Sequence, residues 1–335
     1  MPTFCRHNRM IQNCPICSRE QQIELRPIVS SSAPRSSLPR TSAPRSKATR
    51  EGGSPARPAA PSRASGGLKV RRLARGADDG YRSRLVPGVK SSEDAQRLAE
   101  ELAFATARLE RLEADPPGLY AEVADGTADA EERFWLAFLI AYLGPLDGAD
   151  PFRSIEAART RWASGEPPHL DDVELGPRTA HEPDRGTKTT DAYRAWALRS
   201  GSQTAAFAGE SAWTPERRFE RVFERMALPG FHRDARFDLL VTLGRLGLDD
   251  VRAGALQFGG ENEVTVAAKR ILGIGDPLLL ERRALDLAQA CGIPLDALDV
   301  GLFNWGRGER ATLGMGEDAD PHPAALESAL AALDL

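Results

Sequence analysis

The chain has 335 residues, 41% of them apolar and 27% charged, which suffices for a large core and roughly two domains and excludes a small disulfide-held scaffold. Its formal net charge of -4 conceals an asymmetry. Residues 1–75 hold 15 Lys/Arg against 3 Asp/Glu, whereas residues 76–335 hold 29 against 45, so the first part attracts nucleic acid and the second repels it.

The first 24 residues carry three of the four cysteines, as Cys5-x-His7 followed by Cys14-Pro15-Ile16-Cys17. A Cys-Pro-x-Cys turn points two thiolates at one ion, and Cys5 with His7 completes a tetrahedral zinc set. A structural zinc knuckle over residues 1–24 is expected, folded by its metal because so few residues bury no core. A redox-active or incidental thiol pair is the alternative. From 25 to 75 the chain is rich in Ser, Pro, Ala, Arg and Gly, with no aromatic residue to seed packing. This reads as a disordered basic linker and as the main contact with DNA. A knuckle with a basic tail also suits RNA or a protein partner.

Residues 76–335 are Ala/Leu-rich with helical spacing and without alternating β-branched runs, which predicts an all-α, multi-helix globular domain. Ser91 to Asp94 open a helix with Leu98, Leu102, Leu109 and Leu112 on one side, stopped by Pro116-Pro117. Residues 130–143 form a helix apolar nearly all round, expected at the centre of the core. Further helices are expected over 152–163, 189–199, 215–226, 232–246, 262–272, 277–290, 295–305 and 323–334. On the 215–226 helix, Arg217, Arg218, Arg221 and Arg225 read as a solvated face shared with Glu216, Glu220 and Glu224. The stretch 164–188 reads as a long surface loop. Its His169, Asp171, Asp172, His181, Glu182 and Asp184 lack metal-binding helical spacing.

The longest apolar run, Phe134 to Leu143, has ten residues, about half of the roughly 20 needed to cross a bilayer. The N-terminus lacks the apolar core of a secretory signal. An intracellular, cytoplasmic protein with no membrane contact is expected, and Cys291 should be a buried thiol. No P-loop, dinucleotide fingerprint or Gly-x-Ser-x-Gly elbow is present, so no nucleotide cofactor is indicated.

Towards the C-terminus, a helix through Lys269 reaches Leu272-Gly273-Ile274-Gly275, and Asp276-Pro277 starts the next. This is the outline of a helix-hairpin-helix, where Gly273 and Gly275 would let backbone N–H groups approach a DNA phosphate. A plain glycine turn with an Asp cap is the alternative. Ile293-Pro294-Leu295-Asp296 and then Asp299 open the following helix. Over residues 220–306 the chain resembles the helix-hairpin-helix superfamily of DNA glycosylases, with GGENEVTVAAKRIL similar to the archaeal oxoguanine branch. It is also similar to the alpha-glutamyl/putrescinyl thymine pyrophosphorylases, helical proteins tied to hypermodified thymine.

The resemblance implies excision or remodelling of a damaged or hypermodified base, with Asp296 or Asp299 stabilising positive charge on the sugar of an everted nucleotide. First-turn acids also stabilise a helix without any catalytic role. Asn262, Asn304 and Trp305, with Phe258, Glu261 and Glu263 nearby, would stack on and read the base, or else serve as caps and core. Lyase-type members place a lysine where this chain has Asp276-Pro277-Leu278, and no four-cysteine iron–sulfur loop follows. Lys269, the one lysine after position 188, is the one candidate for an amine nucleophile, a solvated helix face being the alternative. Two other readings stand beside this one: a non-catalytic nucleic-acid or protein-binding scaffold, and a transferase acting on hydroxymethyl pyrimidines in DNA.

Overall fold

The structure, a computed structural model, describes residues 76–315 and 320–335. Cys5, His7, Cys14, Cys17 and the basic linker lie outside these residues. The described residues belong to one compact unit and contain helices but no strand, so the body is all-α over this range. Their helices are α1 (Ser92–Ala114), α2 (Leu119–Ala124), α3 (Ala130–Leu143), α4 (Arg153–Ala158), α5 (Lys188–Arg199), α6 (Gln203–Ala208), α7 (Pro215–Arg225), α8 (Arg233–Arg245), α9 (Glu263–Leu272), α10 (Pro277–Cys291), α11 (Leu295–Arg307) and α12 (Pro323–Ala332).

α3 has the bounds the sequence implies. Asp129 accepts from the N–H groups of Glu131 at 2.8 Å and Glu132 at 3.3 Å, and Gly144 at φ +73° ends the helix where an L side chain would be strained. Every residue from Phe134 to Leu143 is buried, because a helix apolar on all sides must be enclosed on all sides. Its aromatics build half of the core. Phe138 stacks on Tyr193 of α5 with centroids 3.8 Å apart, Phe134 stacks on Phe207 of α6 at 5.0 Å, and Phe138 tilts against Phe231 at 5.2 Å. Glu131 extends from the first turn of α3 to cap α6, its carboxylate accepting from the N–H groups of Gln203 at 2.8 Å and Thr204 at 2.9 Å.

The other half of the core is aliphatic, with α1 and α11 as its axis. A Cβ on Gly301 would lie 2.6 Å from Cδ2 of Leu102 and 3.3 Å from its backbone, so the two helices meet where one has no side chain. Glu101 of α1 accepts from Nδ2 of Asn304 at 3.0 Å and from Arg310, while Trp305 Nε1 donates to the carbonyl of Asp94 at 2.9 Å. α12 lies along α1 and α10. The Tyr81 hydroxyl donates to the carbonyl of Leu333 at 2.5 Å, fastening the first described segment to the last.

Three expectations are corrected. The helix expected over 152–163 ends at Ala158, where the backbone turns extended at Arg159. The stretch 164–188 has little regular structure, as expected, but it is not a surface loop throughout: Leu170, Arg178, Ala180 and His181 are buried. The four arginines around α7 do not form one solvated face. Arg218 is buried and donates to the carbonyl of Asp250 at 2.6 Å, and Arg225 donates to the carbonyl of Ala206 at 3.2 Å. α2 and α6, six residues each, were not anticipated.

Candidate substrate cleft

α9, α10 and α11 are joined by two short glycine turns. Gly273 and Gly292 both adopt left-handed backbone, at φ +65° and +67°, and each ends its helix as an αL cap. The first turn is exposed, with Gly275 in open space, and the segment around Gly88 packs behind it, the Gly88 N–H donating to the carbonyl of Ile271 at 2.9 Å. Asp276 occupies the start of α10, its carboxylate accepting from the N–H of Leu279 at 3.0 Å. A negative charge therefore already stands where a hairpin would receive phosphate. Lys269, half-buried in the last turn of α9, is not among the residues lining the clefts described below.

The second turn delivers Asp296 and Asp299 to different surroundings. Asp296 receives a two-pronged bond from Arg245, at 2.8 and 3.0 Å, beside a depression of 240 Å³ that also includes Glu113, Asp249 and Asp250. Burial disfavours the Arg245 charge, but Asp296 and Glu113 outweigh it and raise the guanidinium's pKa. Asp299 is fully buried between two arginines. Arg178 Nη2 donates to its Oδ1 at 2.7 Å, and Arg233 pairs with its other oxygen. Arg178 also makes a two-pronged bond to Asp238, at 2.7 and 2.9 Å, and Arg233 donates to Asp234 at 3.1 Å and to the carbonyl of Leu256.

Such a cluster forms only where each charge has partners of opposite sign, because an unpaired buried ion costs several kcal/mol. Burial disfavours the Arg178 charge, yet Asp238 and Asp299 outweigh it and hold the guanidinium protonated. Burial pushes the Asp238 carboxyl above the usual range, against the pull of Arg178.

This cluster underlies a cleft of about 730 Å³, within the size range of small-molecule sites. Arg178, Arg233 and Arg236 give it a basic wall, interrupted by Asp234; Phe231, Leu228 and Phe303 supply apolar surface; Glu261, Asn262 and Glu263 add a polar lip. Arg178 lies over the Phe303 ring at 4.6 Å, and Arg236 over Phe223 at 4.3 Å. Three nitrogens of these arginines, each shielded from solvent, have no acceptor: Nη1 of Arg178, Nε of Arg233 and Nε of Arg236. Each such buried donor costs about 1–3 kcal/mol. Burial, with the neighbouring Arg233 charge, lowers the pKa of Arg236. Glu263 is exposed at the lip, and desolvation by the surrounding protein raises its carboxyl against the opposing charge of Arg307. Glu261 and Glu263 also line a second hollow of about 410 Å³ with Arg270 and Arg307, so the two hollows share a lip.

Of the residues singled out in the sequence, the structure brings Asn262, Glu261 and Glu263 to the cleft and Asp299 beneath it. Asn262 caps α9, accepting from the N–H of Thr265 at 2.9 Å and donating to the carbonyl of Gly259 at 2.6 Å. Asn304 and Trp305 are placed elsewhere, in the α1–α11 packing. Asn304 donates to Glu101 and accepts from the N–H of Ala311 at 3.0 Å, so its amide is occupied. Phe303 is the aromatic residue of α11 that reaches the cleft. Among the described residues no group of three or more His, Cys, Asp or Glu is arranged to hold a metal, and no helix is long and apolar enough to cross a membrane. Arg178, Arg233, Arg236, Asp238 and Phe303 were not foreseen as site residues. The motif Phe231-His232-Arg233-Asp234-Ala235-Arg236, with two arginines three apart at a helix start, was the available signal. Comparison with protein-family models, with curated proteins and with solved structures finds no match to this chain.

Proposed function

We propose that the body processes a base in DNA, taking the everted nucleotide into the 730 Å³ cleft. The observation that carries this reading is the position of Asp299. It lies on the helix opened by Pro294-Leu295-Asp296, following the two glycine turns, and holds the two arginines of the cleft's basic wall. A cleft with guanidinium groups, aromatic surface and a polar lip supplies what an everted nucleotide needs: charge for phosphate, a ring for stacking and polar groups for the base edge.

The carboxylates take different roles in this proposal. Asp299, with an arginine on each oxygen, is a positioning residue that fixes the basic wall. Glu263, on the lip with a raised pKa, is the carboxyl suited to protonate a leaving base or, once ionised, to face positive charge on the sugar. Asp296 is bound to Arg245 outside this cleft and is assigned no chemical step. The +12 segment of residues 1–75 would hold the DNA, since the body itself is acidic.

The test is to incubate the purified chain with duplexes carrying oxidised, deaminated or hydroxymethylated bases and to measure released base and abasic sites. Release is expected, reduced at least a hundredfold in Glu263→Gln and unchanged in Asp296→Asn variants that remain folded. Absence of release from every duplex, or full activity in Glu263→Gln, would overturn the reading. A scaffold role has one feature in its favour: Leu278 and Leu279 at the start of α10 are exposed, 82% and 53%, and adjacent exposed apolar side chains can form part of a contact surface.

A further inference from the structure

We propose that the basic wall of the cleft is a phosphate subsite centred on Arg236, with Arg178 and Arg233 beside it. The inference rests on reading this cleft as the substrate site, but not on any excision chemistry there. Asp299, Asp238 and Asp234 are already bonded to Arg178 and Arg233. They therefore fix the orientation of these guanidinium groups. Arg236 has no ion pair in the cluster: its Nη1 donates to the carbonyl of Phe223 at 3.1 Å and its plane lies over the Phe223 ring.

Arginine planes held on aromatic rings are pre-ordered for an anion, and the Arg236 charge has no carboxylate partner among the described residues to displace. Glu261, Glu263 and Asp234 also line the cleft, and Asp234 is paired with Arg233, so the place that favours a phosphoryl group is against Arg236. The uncharged remainder of the ligand is left beside Phe231 and Phe303. The shared chemistry is therefore a phosphate ester attached to a flat, partly apolar group. Such an ester can come from a free nucleotide or from a nucleic-acid strand.

The experiment measures binding of thymidine, thymidine 5′-monophosphate, inorganic pyrophosphate and a single-stranded 12-mer to the full chain and to Arg236→Gln by titration calorimetry at fixed salt. Because both proteins carry the same basic N-terminal segment, its contribution cancels in the comparison. The monophosphate or the 12-mer is expected to bind at least tenfold more tightly than thymidine, and Arg236→Gln to lose about tenfold, the worth of one charge-assisted hydrogen bond. Tight binding of the monophosphate that is lost in Arg236→Gln identifies a free nucleotide, and loss of affinity in Arg236→Gln for the 12-mer alone a strand phosphate. Arg178→Lys, with unfolding followed in parallel, should also weaken binding, since one ammonium cannot satisfy the same fork. Equal affinity for thymidine and its monophosphate together with no difference for the 12-mer, or no effect of Arg236→Gln on any phosphate probe, would overturn the subsite. Phosphate binding without base release would leave the subsite standing and remove base processing.

Discussion

Asp296 and Asp299 stand three positions apart on α11, yet their substitution should have unequal effects. Asp299→Asn leaves Arg178 and Arg233 buried with one anionic partner fewer and should cost about 3–5 kcal/mol. Asp296→Asn acts on a pair whose Arg245 is partly solvated and should cost about 1 kcal/mol. Urea unfolding of the two variants checks the difference, and equal losses would contradict the buried cluster. Glu131 gives a prediction of opposite pH sense from Asp238. Burial alone would raise the Glu131 carboxyl, but the N–H groups of Thr204 and Gln203 and the Thr204 hydroxyl outweigh it and hold the pKa below its ordinary value. The unfolded chain then binds the proton more readily, so Glu131 contributes stability above its unfolded value, near 4.5, lost as pH falls through the folded one. Glu131→Gln should destabilise the body by about 1 kcal/mol at neutral pH, a partly solvated group's share. That difference should vanish in thermal melts below the depressed pKa. Asp238, raised by burial, favours folding at low pH and loses that contribution as pH rises through its folded pKa.

The helices show which local signals survive tertiary packing. α3 was legible to the residue because a capping aspartate, an apolar run and a glycine stop agree. α9 and α10 were legible through Asn262, Asp276 and the two left-handed glycines. α2 and α6 carry under two turns each, too few for a 3.6-residue period to register. The segment holding Arg178 defied the same method for another reason. Irregular backbone has no period, and Arg178 is buried because of Asp238 and Asp299, 60 and 121 residues away. Thus the chain positions of Asp299, Asn262 and Glu263 were visible in the sequence, whereas the arginines that Asp299 joins were not. At the α1–α11 crossing the sequence shows a glycine but not its purpose. A side chain at Gly301 must displace Leu102, so Gly301→Val should cost about 1–3 kcal/mol by overpacking. Chemical denaturation would reveal it, and a neutral result would mean that the helices separate freely there.

For the whole molecule, charge and shape divide the work between sequence regions. The body carries -16 and the first 75 residues +12. If DNA is the partner, a plot of log affinity against log salt should have a slope of several units, as expected when many phosphates are neutralised. Deleting residues 1–75 should flatten that slope and remove most of the affinity. Binding by the deleted form with undiminished salt dependence would place the contact on the body instead. The bond from Tyr81 to the carbonyl of Leu333 has a topological meaning for this body. Its first and last described segments meet, so the polypeptide path is nearly a closed ring whose continuity need not be interrupted where it is. A short bridge from residue 335 to residue 76, with a new opening at the exposed Gly126 turn between α2 and α3, would preserve every helix contact. The same cleft would then be assembled by a circularly permuted chain with a different order of synthesis, α3 emerging first and α1 after α12.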